Sequence, residues 1–156
     1  MTACPGPRQP SLDPAALKAE MAAEIARAFG EVRLEVQGAS MLPCLWPGDI
    51  VTVRREGLAG LGPGQIAEVF RHGRLVCHRI VRRMGDRLVT RGDCAAGEDA
   101  PAGEKEIVGR VVAISRRGRP VNPDFTLGRR LASYLLRHSE FCVRALLRLR
   151  RPLWTR

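Results

Sequence analysis

From Glu31 onward the hydrophobic pattern of this chain has a period of two, and that period limits the fold more than any other feature. Val32, Leu34 and Val36 alternate with Glu31, Arg33 and Glu35. Successive side chains on a strand point to opposite faces, so the segment reads as a half-buried strand. Similar runs follow at Ile50–Arg54, Gln65–Phe70, Leu75–Arg82, Arg87–Thr90 and Ile107–Ile114. Gly73, within Arg71–Arg74, and the Gly85-Asp86 pair fall where tight hairpin turns belong. The expected fold class is mainly β, a mostly antiparallel domain of many short strands. A length of 156 residues suits one such domain with a tail, and a 45% hydrophobic share supplies its core.

A helix is expected on each side of the strands. Asp13-Pro14 reads as an N-cap followed by proline at the first helical position. Leu17, Met21, Ile25 and Phe29 follow at spacing four, and Gly30 is the stop. After Arg116-Arg117-Gly118-Arg119-Pro120, Asn122-Pro123-Asp124 reads as a second cap. A helical pattern runs from Phe125 to Arg151, with Leu127, Leu131, Leu135, Cys142, Leu146 and Leu149 mainly on one side. Arg130, Arg137, Arg144 and Arg151 recur every seven residues on another. The expected organisation is a leader and short helix over 1–30, a β domain over 31–117 and a basic amphipathic helical tail over 118–156.

Charge follows that division. The chain carries 26 Lys+Arg against 16 Asp+Glu, a formal +10. Residues 125–156 hold eight arginines and one acid, Glu140, a net +7, which leaves +3 for residues 1–124. The basic stripe reads first as a solvated helix face packed on the β domain. Its second reading is contact with an anionic membrane surface, with Leu135, Leu146, Leu149 and Trp154 at the interface. Nucleic acid ranks last, because four Phe, two Trp and one Tyr offer little for base stacking.

No window approaches the roughly 18 consecutive apolar residues of a membrane span, and Met1–Pro10 has no apolar signal region. Five scattered cysteines with no C-x-x-C spacing read as reduced thiols. A cytoplasmic chain is expected, peripheral at the inner face of a membrane if the tail binds one. Cys77 and His78 are strand neighbours that point to opposite faces, so no zinc site is expected, and no cofactor motif appears.

Three segments carry the types of side chain that chemistry needs. Ser40 lies in Gly38-Ala39-Ser40-Met41-Leu42-Pro43, just past the first strand, where its hydroxyl and its own N–H are both presentable. A serine hydroxyl needs a neighbouring base, and His78 in the fourth strand run is a candidate. An acid on the far ring nitrogen would set the tautomer, and Asp93 and Asp99 are both candidates. Singly, Ser40 reads as a turn serine, His78 as a core histidine and Asp93 as a turn residue.

Together the segments resemble a family. Gly38-x-Ser40-Met41-x-Pro43, closed by Gly48-Asp49, looks like the nucleophile box of type I signal peptidases and the related self-cleaving repressors. His78-Arg79-Ile80-Val81 is similar to the general-base box of the histidine-type branch, the endoplasmic-reticulum and archaeal enzymes. Thr90-Arg91-Gly92-Asp93, then Asp99, then Ile107–Val112 resembles that branch's third box. The resemblance spans about residues 31–115. It implies the coiled-strand β fold and endoproteolysis through an acyl-enzyme, with small side chains just before the cut. It implies Ser40 as nucleophile, His78 as general base, and Asp93 and Asp99 as the acidic positions. Where those enzymes carry an anchor before the serine, this chain has the short helix. The chain's two lysines, Lys18 and Lys105, fall outside the general-base box.

Two functions are therefore expected to compete. One is a serine endopeptidase acting on a polypeptide, a specific precursor or leader peptide. The other is a non-catalytic β module whose basic C-terminal helix binds an anionic membrane or a protein partner.

Overall fold

The computed structural model describes residues 14–122 and 127–138. Its elements are α1 (Pro14–Phe29), β1 (Glu31–Glu35), β2 (Ile50–Arg54), β3 (Ile66–Arg71), β4 (Arg74–Met84), β5 (Arg87–Arg91), β6 (Ala102–Gly103), β7 (Ile107–Arg116), β8 (Arg119–Val121) and α2 (Leu127–His138). Single 3₁₀ turns cover Leu58–Gly60 and Glu104–Glu106. The protein is mainly β, one antiparallel sheet of eight strands in the order β1-β2-β7-β3-β4-β5-β6, with β8 paired to β7. Among the described residues no helix is long and apolar enough to cross a membrane.

Turn chemistry sets the hairpins. His72 and Gly73 both take positive φ, 50° and 71°, between β3 and β4, and Arg117 and Gly118 do the same, 53° and 75°, between β7 and β8. Two left-handed residues make the turn whose twist matches antiparallel strands. The β7–β8 hairpin carries the sheet past position 118 to Val121, so the strand region does not end at 117. The short β6 and β8 lack a long enough alternation to be read from sequence.

Alternate residues of the central strands enter different cores. Ile66 of β3 packs with Val51, Val53, Val111 and Ile114, and Cys77 of β4 lies against that cluster. Ala67 and Val69 of β3 pack with Ile80, Leu88 and Ile107 in the second cluster. β3 is thus covered on both faces, where a period of two predicts one wet side.

Helix α1 ends as expected. Gly30 takes φ 77° and its N–H donates to the Ala26 carbonyl at 2.9 Å. The face it packs is not the large apolar one. Ala19, Ala23 and Ala26 are buried, while Leu17, Met21, Ile25 and Phe29 are exposed, Phe29 at 81%. Small side chains let the helix axis lie close to the strands, and the bulky stripe is left outward.

The C-terminal helical pattern is realised over Leu127–His138. Leu136 is buried with Leu42 and Trp46, against Ala39 and Cys94. The expected continuation through Arg151, with Trp154, lies outside the described residues.

Candidate active site

The segment after β1 is a loop closed at its neck. The Val36 N–H donates to the Asp49 carbonyl at 2.9 Å, and the Gly48 N–H to the Val36 carbonyl at 2.7 Å. Between these points Met41, Leu42, Cys44 and Leu45 are buried. The loop is held by its own apolar residues, and Ser40, just before them, is left partly exposed.

Three side chains from three regions meet. Ser40 Oγ lies 2.9 Å from His78 Nε2. On the other side of the ring, His78 Nδ1 lies 2.6 Å from Asp99 Oδ2. The Thr90 hydroxyl donates to the same carboxylate oxygen at 2.7 Å, and the Asp99 N–H donates to the Thr90 carbonyl at 2.8 Å. A carboxylate only accepts hydrogen bonds, so with Asp99 ionised the Nδ1 carries the proton. Nε2 of a neutral ring then has its lone pair toward the serine hydroxyl.

Strand geometry explains why His78 can reach. It shares the face of β4 with Ile80, and Ile80 is paired with Thr90 of β5. Arg79 points the other way and is also buried. Its Nε and Nη2 donate to the two Asp93 oxygens at 2.7 and 2.9 Å, and Nη1 donates to the Gly64 carbonyl at 2.7 Å. Burial works against the Arg79 charge, but the hydrogen bonds and charge of Asp93 more than offset it and raise the guanidinium's pKa. Of the two expected aspartates, the structure brings Asp99 to the histidine and turns Asp93 to Arg79.

The third segment also touches the serine backbone. A Cβ on Gly92 would lie 2.7 Å from the Ser40 carbonyl oxygen and 2.9 Å from Ser40 Cβ. Only glycine fits there. The Cys94 N–H donates to the same Ser40 carbonyl at 2.9 Å. Thr90, Gly92 and Cys94 thus join the site as supports that sequence reasoning did not assign, although all three lie in or beside the third box. Asp49 and Arg116, which tie the loop's far end to β7, carried no sequence signal of a joint role.

Among the described residues no group of three or more His, Cys, Asp or Glu comes together to hold a metal ion. A hydroxyl, an imidazole and a carboxylate in line are the groups of nucleophilic acyl transfer. Neither a protein-family model nor a curated protein matches this chain.

Proposed function

We propose that the chain is a serine endopeptidase of the histidine-type signal-peptidase kind, acting on a precursor or leader peptide. The observation that carries the reading is the chain of contacts from Ser40 Oγ to His78 Nε2 at 2.9 Å and from His78 Nδ1 to Asp99 Oδ2 at 2.6 Å. Ser40 Oγ attacks the scissile carbonyl carbon while its proton passes to His78 Nε2. Asp99, itself held by Thr90, orients the ring and stabilises the imidazolium. The Ser40 N–H helps hold the oxyanion. The C–N bond then breaks, the departing amine takes the proton from Nε2, and water repeats the sequence on the ester to free Ser40. Asp93 acts at one remove, through Arg79, as part of the frame beneath the site.

Fluorophosphonate labelling tests this reading. Labelling is expected in the wild type and lost in Ser40→Ala and in His78→Ala. Equal labelling of wild type and Ser40→Ala overturns it.

The exposed face of α2 favours a docking role for this end of the chain. Leu131, Tyr134 and Leu135 are each more than half exposed. Sedimentation with anionic vesicles reads that role separately, since it does not depend on Ser40.

A further inference from the structure

We infer that Arg116, at the end of β7, is a positioning residue for Ser40; the inference rests on the peptidase reading above. β7 supplies none of the three reacting side chains. Its pairing with β2 ends at Ile50 opposite Ser115, so Asp49 and Arg116 face each other one step past the ladder. Arg116 Nε donates to Asp49 Oδ1 at 2.8 Å and Nη2 to Oδ2 at 2.7 Å. Nη2 also donates to the Cys44 carbonyl at 3.1 Å, and the guanidinium carbon lies 5.8 Å from the Trp46 ring centroid. One planar group thus grips positions 44, 46 and 49 of the loop.

The grip is relayed inward. Asp49 Oδ2 accepts the Trp46 N–H at 2.9 Å, and the Trp46 indole N–H donates to the Pro43 carbonyl at 3.0 Å. The Leu45 N–H donates to the Met41 carbonyl at 2.9 Å, next to Ser40. Cys94 and Gly92 hold the serine end of the same loop. Ser40 is therefore suspended between two anchors, one from the third box and one from β7. A forked guanidinium matches two carboxylate oxygens at once, whereas an ammonium is a point charge and holds one geometry less firmly. Asp49 is 3% exposed at its side chain and Arg116 24%, so the pair stands mostly out of water. Misplacement of a reacting group by about 1 Å costs on the order of a hundredfold in rate.

The test is the rate of Ser40-dependent fluorophosphonate acylation in the full chain, alongside thermal unfolding and the pH profile of acylation. Arg116→Lys and Asp49→Asn are expected to slow acylation by roughly a hundredfold in the folded protein. The midpoint of the pH profile stays where it is, because the His78–Asp99 contact is untouched. Arg110→Gln, which breaks the Arg110–Glu56 pair elsewhere on β7, is expected to acylate at the wild-type rate. If either single variant does not fold, Asp49→Asn with Arg116→Gln leaves no uncompensated buried charge, and its rate decides. Folded variants that acylate within about twofold of wild type overturn the positioning role. Loss of Ser40-dependent labelling in the wild type itself is a different result and removes the peptidase reading instead.

Discussion

His78 Nδ1 faces Asp99 across 2.6 Å, while Asp93, six residues earlier, gives both its oxygens to Arg79 on the other side of β4. Two acids close in sequence thus serve opposite faces of one strand. One meets the imidazole ring that also meets Ser40. The other neutralises a guanidinium that burial would otherwise penalise.

That division predicts two different phenotypes. Asp99→Asn is expected to lower turnover by about three to four orders of magnitude, since the amide no longer fixes the Nδ1–H tautomer. Its unfolding transition is expected to move less than that of Asp93→Asn, because Asp99 is 29% exposed at its side chain and Asp93 only 2%. Asp93→Asn is expected to cost about 3 to 5 kcal/mol of stability by leaving a buried guanidinium short of its counter-charge. Denaturant unfolding beside peptide-cleavage kinetics separates the two, and a swap of the phenotypes would reverse the assignment.

Gly92→Ala puts a methyl group on the Ser40 carbonyl and Cβ. Overpacking of this kind costs about 1 to 3 kcal/mol, and here it is also expected to push Ser40 away from His78. A Cβ on Gly38 meets nothing within 4 Å, so Gly38→Ala is expected to keep both stability and labelling. Comparing labelling rates of the two variants is a direct check.

Leu136→Ala removes the α2 side chain that packs on Leu42 and Trp46 in the loop that carries Ser40. Emptying a buried leucine site costs about 2 to 5 kcal/mol. Chemical denaturation is expected to show that loss, and Leu136→Met, close in volume, to recover most of it.

Glu68 makes stability depend on pH. It is 3% exposed, and burial pushes its carboxyl up to about 7, against a smaller opposing effect of its hydrogen bond with Cys77. The folded state therefore keeps a proton that the unfolded chain releases near 4.5. Its contribution is fully present below pH 4.5 and is lost as pH rises through about 7. The total is about 3 kcal/mol from the size of the shift. Glu68→Gln is expected to flatten that slope and to be the more stable chain at pH 8. A urea-unfolding series across this range that falls equally in both proteins would show the slope has another source.

Much of this architecture was legible in the chain itself. The period of two places β2, β5 and β7 within about two residues, because alternating burial is a property of each strand alone. His72-Gly73 and Gly85-Asp86 mark hairpins through backbone conformations that few residues adopt. Ser40 and His78 stood out by type and local setting.

Other features needed the assembled sheet. The stripe of Leu17, Met21, Ile25 and Phe29 identifies a helix, but alanines on the opposite face allow the closer approach to the strands and take the interior. Periodicity marks a helix's faces without saying which one a neighbour will accept. The choice of Asp99 over Asp93 rests on how the segment after β5 returns to Thr90, a path written in no repeat. The grip of Arg116 on Asp49 exists because β7 and β2 end in register, 67 positions apart along the chain. Local patterning determined the strands, the turns and the local settings of Ser40 and His78, since those depend on neighbours in sequence. Tertiary structure decided which acid meets the histidine and what holds the serine, since those depend on distances that only pairing between remote strands creates.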